Sequence, residues 1–204
     1  MNRPVWLLDV DGVINVSRPG WGDAPRSGIA YSDGEAYRMR WAPALINRVR
    51  ALHQTNIVEI RWCSTWCADA DQVERLFGLP YLTRAWSDHL SSTAAAAAKL
   101  AAARLVLARG RRLIWTDDVE VPTDGPVHDE LTEGGRALLI APSPREGLRP
   151  EHMDTIEAFA SAMNTAAVGE SPSGITGPLD GHHPGDLRPA VPLRRERGEK
   201  PGHW

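Results

Sequence analysis

Asp9 and Asp11 stand one residue apart, directly after the apolar run Val5-Trp6-Leu7-Leu8 and just before Gly12. A buried strand ends in turn formers, which accounts for one aspartate. A second, one residue further, puts two carboxylates at the mouth of one loop, a pattern suited to phosphoryl transfer. Asp9, at the strand tip, is placed to attack phosphorus and form an aspartyl phosphate, splitting one hard displacement into two easier ones. Asp11, from the loop, would protonate the leaving oxygen and later take the proton of the attacking water. Gly12 lets the backbone turn sharply enough for its amides to approach the phosphate.

Carboxylates facing an anionic substrate need a counter-charge, and Mg²⁺ is the simplest: a hard cation held by a few carboxylates, phosphate oxygens and water. Asp117 or Asp118, which close the run Leu113-Ile114-Trp115-Thr116, would complete its shell. A hydroxyl and an ammonium would hold the remaining phosphoryl oxygens. Ser64 and Thr65 both follow the apolar run ending at Cys63; Ser64 is favoured as the first of the two. Lys99 is the only lysine between Met1 and Lys200, so the ammonium has one candidate.

These residues need elements that end together. Runs of strand length at residues 4–9, 56–63, 111–118 and 136–142 each stop abruptly. Helical patterns lie between and after them: 42–54 with Leu45, Val49 and Leu52 on one face behind Pro43; 69–78, ending in glycine; the alanine-rich 91–110, capped by Ser/Thr; and 149–164, with Met153, Ile156, Phe159 and Met163 at helical spacing. Alternating strands and helices predict an α/β, three-layer, Rossmann-like parallel sheet with helices on both faces. In such a sheet a ligand site lies outside the carboxyl ends of the strands.

At 204 residues the chain fits one domain, read here as residues 1–167. A glycine- and proline-rich stretch over 168–204 is too poor in apolar groups to offset its ordering entropy and is read as a disordered tail. A formal charge of −3 excludes a global pull toward nucleic acid or anionic membrane. Two cysteines, Cys63 and Cys67, make neither a disulfide framework nor a zinc site. With no signal-peptide pattern and no stretch apolar enough to span a bilayer, a cytoplasmic location is expected, with no membrane and no obligate protein partner.

Asp9-Val-Asp-Gly-Val13, the hydroxyl after the second strand, Lys99 and the Asp117-Asp118 pair together resemble the four motifs of the haloacid dehalogenase superfamily of phosphohydrolases. "LLDVDGVIN", "RWCSTW" and "LIWTDD" look like the haloacid-dehalogenase-like domain of Swiss Army Knife RNA repair proteins. The likeness spans roughly residues 4–165. It implies Asp9 as nucleophile and metal ligand, and Asp11 as acid/base that also lends its backbone carbonyl to Mg²⁺. Asp117 would be a metal ligand, with Asp118 assisting. It also points to nucleic-acid repair, with a terminal phosphate on a nucleic acid or nucleotide as substrate.

The segment 13–41 is too short for a folded cap domain and reads as a flap or hairpin over the site. An unlidded site admits an extended substrate. Trp66, with Trp21 or Trp41, could stack on a base; packing is the competing use. Arg18, Arg26, Arg38 and Arg40 could form a basic patch or simply be solvated. Asp124 and Asp129 follow the acidic pair and are further candidates for the metal. Two other functions fit the same residues: a metal-dependent nuclease without a covalent intermediate, and a non-catalytic phosphate-binding module.

Overall fold

A computed structural model describes residues 3–162. The tail expected over 168–204 and the last residue of the predicted Met153–Met163 stripe lie outside them. In chain order the strands are β1 (Val5–Leu8), β2 (Arg26–Ser32), β3 (Glu35–Trp41), β4 (Glu59–Trp62), β5 (Thr83–Arg84), β6 (Leu113–Thr116) and β7 (Ala137–Ile140). The helices are α1 (Pro43–Thr55), α2 (Ala70–Phe77), α3 (Ser92–Ala108), α4 (Gly125–Thr132) and α5 (Pro150–Ser161). Five strands form one parallel sheet in the order β5-β4-β1-β6-β7, and β2 pairs only with β3, antiparallel.

β1 reads as an unbroken apolar run because both of its faces are covered. Trp6 and Leu8 join Ile60, Trp62 and Ile114 in a core closed by α1, α2 and α5. Val5 and Leu7 join Leu113 and Trp115 in a second core under α3 and α4. The architecture is therefore α/β, with a five-stranded parallel sheet flanked by helices on both faces, as a Rossmann-like fold has.

Chain direction explains where a site can form. From β1 the chain builds outward through β4 to β5, then crosses by α3 to β6, on the other side of β1, and on to β7. The connections leaving β1 and β6 thus diverge, opening a crevice at their carboxyl ends. Asp9 and Asp117 are the residues that follow these two strands.

Helix α3 starts at Ser91, whose hydroxyl accepts the Ala94 amide at 3.3 Å. Its buried positions are Ala95, Lys99, Ala103 and Val106, a stripe at helical spacing that includes the lysine. The β2–β3 hairpin turns on Asp33-Gly34, both with positive φ, as a two-residue turn matched to strand twist requires. It leans on α2: a Cβ at Gly28 would meet Leu76 at 2.5 Å, and Trp41 lies edge-to-face with Phe77 at 5.1 Å. The segment read as flap or hairpin is thus a hairpin packed on a helix. β5 and α4 were not expected; β5 has only two residues, and α4 buries only Leu131. Among the described residues, no helix is long and apolar enough to cross a membrane.

Candidate functional site

β1 pairing with β6 continues one residue past the strand, the Asp9 amide donating to Thr116 C=O at 3.1 Å. The Asp117 amide likewise reaches Ile140 C=O at 3.3 Å. Both carboxylates are therefore carried by backbone still held in the sheet. Lys99 is buried, 7 % exposed, and reaches between them from α3. Its Nζ lies 2.6 Å from Asp9 Oδ2 and 2.6 Å from Asp117 Oδ2.

The remaining oxygens are held by backbone amides. Asp9 Oδ1 accepts the Val10 amide at 2.7 Å, and Asp117 Oδ1 accepts those of Val119 and Glu120 at 3.0 and 2.8 Å. Asp117 Oδ2 is different: Lys99 is close enough for an ion pair, yet no donor meets that oxygen with hydrogen-bond alignment. Asp118 is half-buried and packs on the Cα of Gly12, where an added Cβ would lie 2.1 Å from its carboxyl carbon. Gly12 also has φ +69°. Two independent constraints thus require glycine at this position.

Two of these acids share one cation, and Asp118 lies beside them. Burial raises Asp9 to about 7, with the charge of Asp117 adding to the rise and Lys99 and Ser64 opposing it. Asp118 is raised as well, first by burial and then by the charges of Asp117 and Asp11. Burial disfavours the charged form of Lys99, but the two neighbouring carboxylates outweigh it and raise its pKa.

Ser64 and Thr65 part company. Ser64 is fully buried, caps the short 3₁₀ turn Thr65–Cys67, and sits close enough to Asp9 for its hydroxyl to lower that pKa. Thr65 is exposed on the turn. Cys63 and Cys67 are buried free thiols whose pKa values burial raises, which makes them poor nucleophiles.

Asp11 is exposed and lies outside the Asp9–Asp117–Asp118 cluster. Its Oδ1 accepts Asn15 Nδ2 at 2.7 Å and its Oδ2 accepts Trp66 Nε1 at 2.9 Å. Base stacking by Trp66 is therefore corrected: the ring is 4 % exposed, and Tyr37 lies edge-to-face with it at 5.4 Å. Trp41 is buried, and Trp21 is partly buried with its Nε1 on Leu148 C=O at 2.7 Å. Asp124 and Asp129 are exposed at α4, outside the acidic cluster. Asn15 went unnoticed in the sequence, although its position four residues after Asp11, ending the pair Val13-Ile14, marks it as a polar residue where the pattern is apolar.

Asp9, Asp117 and Asp118 each offer an oxygen within 4.8 Å of the others. An all-carboxylate donor set with one buried oxygen lacking an aligned donor suits a hard divalent cation. The fold and site together define a Rossmann-like α/β protein with a buried acidic cluster at the carboxyl edge of its sheet. No family model and no curated protein matches the chain.

Proposed function

We propose that the protein is a Mg²⁺-dependent phosphohydrolase of the haloacid dehalogenase type, acting through a phosphoryl group carried on Asp9. The observation that carries this reading is the juxtaposition of Asp9 and Asp117 on one buried ammonium, with Ser64 beside Asp9 and Asp11 two residues on. A purely structural ion pair needs one acid for one lysine. Here extra acids crowd the same cation, and one of them is pushed to about 7, a pattern that clusters at functional sites.

In the first step an Asp9 carboxylate oxygen attacks phosphorus while the bond to the leaving oxygen breaks, its electron pair passing to that oxygen. Asp11 donates the proton the leaving oxygen needs. In the second, water attacks the same phosphorus, Asp11 takes its proton, and the bond to Asp9 breaks to restore the carboxylate. Lys99 and the Ser64 hydroxyl hold non-bridging oxygens and offset the charge that develops in transfer. Asp9, Asp117 and Asp118 would hold Mg²⁺, which when bound supplies the charge that offsets repulsion between carboxylates and phosphate.

The substrate class in this reading is a terminal phosphate on a nucleic acid or nucleotide. Arg38 and Arg40 are exposed on the face of the hairpin that also carries exposed Ile29 and Tyr31. The Arg40 amide bonds Asn15, which bonds Asp11, so this basic strand adjoins the proposed acid/base.

The test is Asp9→Asn assayed for phosphate release from a generic aryl phosphate. Turnover should fall at least about 10³-fold with the fold intact by circular dichroism. Retained turnover in a folded variant would remove Asp9 from the nucleophile's role.

A further inference from the structure

An exposed aspartate on a turn needs no protein donors, because water satisfies its carboxylate. Asp11 nevertheless has two, one on each oxygen, from segments far apart in the chain: Asn15 within the same turn and Trp66 from the loop after β4. Each donor is in turn fixed from behind by β3. The Arg40 amide donates to Asn15 Oδ1 at 2.8 Å, which settles which end of the Asn15 amide faces Asp11, since a backbone N–H can only donate. Arg40 C=O accepts the Val16 amide at 3.0 Å, tying the end of the turn to the same strand. Tyr37, three residues earlier on β3, packs its ring against Trp66.

The turn itself is closed by one carbonyl. Val10 C=O accepts the amides of Ile14 and Asn15, both at 2.8 Å, and the Gly12 amide reaches Asn15 C=O at 3.0 Å. Asp11 therefore projects from a rigid turn, with its carboxylate plane set by two donors. Each oxygen keeps a lone pair free of those donors. Proton transfer in a transition state requires the acid within hydrogen-bond reach of the leaving oxygen, and misplacement by even an ångström costs rate.

We propose that Asn15 and Trp66 are positioning residues that hold the Asp11 carboxylate at the leaving oxygen, with the hairpin strand β3 as their brace. This rests on the phosphohydrolase reading above. On it, the hairpin serves as a fixed support for the acid/base, and its sequence is constrained at Tyr37 by the packing behind Trp66.

The experiment separates leaving-group chemistry from general damage. kcat/KM reports the steps up to the first irreversible one, here phosphoryl transfer to Asp9, so the later role of Asp11 with water does not enter. An alkyl phosphate has a poor leaving group that needs the proton; 4-nitrophenyl phosphate has a good one that does not. Trp66→Phe keeps a ring against Tyr37 but removes the N–H. Asn15→Leu keeps much of the side-chain volume but removes the donor to Asp11, together with the acceptor for the Arg40 amide, at a half-buried position.

Each variant should lose about tenfold or more in kcat/KM on the alkyl ester and less than about threefold on the nitrophenyl ester, a fraction of what general acid catalysis contributes. Asp11→Asn should show the same asymmetry, larger. Equal losses on both esters, or no loss on either, in folded variants would overturn the positioning role while Asp11→Asn still upheld the acid. A wild-type protein that turned over neither ester with Mg²⁺ present would remove the phosphohydrolase reading and this proposal with it.

Discussion

The two edges of the sheet both pair acids with bases, but in opposite electrostatic states. At the amino edge Glu59 begins β4 and receives Arg61 Nε and Arg111 Nη1, each at 2.6 Å. Arg111 also donates through Nε and Nη2 to Arg3 C=O at 3.1 and 2.7 Å. Burial pushes Glu59 up, but the two guanidiniums more than offset it and hold the carboxyl below its ordinary value. At the carboxyl edge Asp9 and Asp117 share a single ammonium, and Asp9 is held near 7. One edge has cations in excess of carboxylates and stabilises the fold. The other has carboxylates in excess and, in the function proposed above, would receive a cation and an anion together.

The largest break in this comparison comes from removing the shared cation. Lys99→Met leaves two buried carboxylates facing each other, so turnover should fall about 10³-fold, comparable to losing an electrostatic donor of the transition state. The metal-free protein should lose about 3 kcal/mol or more of stability in denaturant titration. At the amino edge, Glu59→Ala should cost about 2 kcal/mol, because two partly buried guanidiniums lose their partner. Its turnover should remain within about twofold of wild type.

pH sharpens the contrast, because the two shifts have opposite signs. The folded pKa of Asp9 is about 7 against an ordinary 3.8, so the folded state binds the extra proton. The stability this proton confers is complete below about pH 4 and lost as pH rises through about 7. In the absence of divalent metal, Asp9→Asn should therefore gain stability relative to wild type between about pH 5 and pH 8. Glu59 is lowered, so its contribution is present above the ordinary glutamate range and is lost as pH falls through its folded value. The deficit of Glu59→Gln should accordingly shrink in acid. Parallel pH dependences for the two variants would mean that the edges do not differ as described.

The smallest effect is the metal's own. Mg²⁺ at ten times its Kd should stabilise wild type by about 1.4 kcal/mol by mass action. The gain should vanish in Asp117→Asn, and thermal melts with and without the ion read both. An undiminished Mg²⁺ effect in that variant would place the ion elsewhere.

Much of the carboxyl edge could be read from local pattern. β1, β6 and β7 are apolar runs bounded by polar residues, and β4 alternates charged with apolar residues before Cys63, so their tips, and with them Asp9, Ser64 and Asp117, follow from where the strand pattern stops. Lys99 was legible because it is the only lysine before Lys200 and falls in the 95/99/103 stripe that α3 buries. β5 was not, since two residues carry no period, and α4 was not, since one buried leucine makes no face. The Trp66 to Asp11 hydrogen bond joins positions 55 apart. Such a contact depends on how the turn after β1 meets the turn after β4, which no local periodicity encodes. For the same reason Trp66 looked like a stacking platform when its indole N–H is the part that faces the site.

The central claim is that Asp9 itself becomes phosphorylated. The most direct measurement is to quench the protein in acid during turnover of an aryl phosphate with Mg²⁺, reduce with borohydride, and map the peptides by mass spectrometry. An acyl phosphate would be reduced to homoserine, and the account predicts homoserine in place of Asp9 and at no other carboxylate. Sustained phosphate release with Asp9 unmodified at every quench time would contradict it, because water would then be attacking the substrate directly.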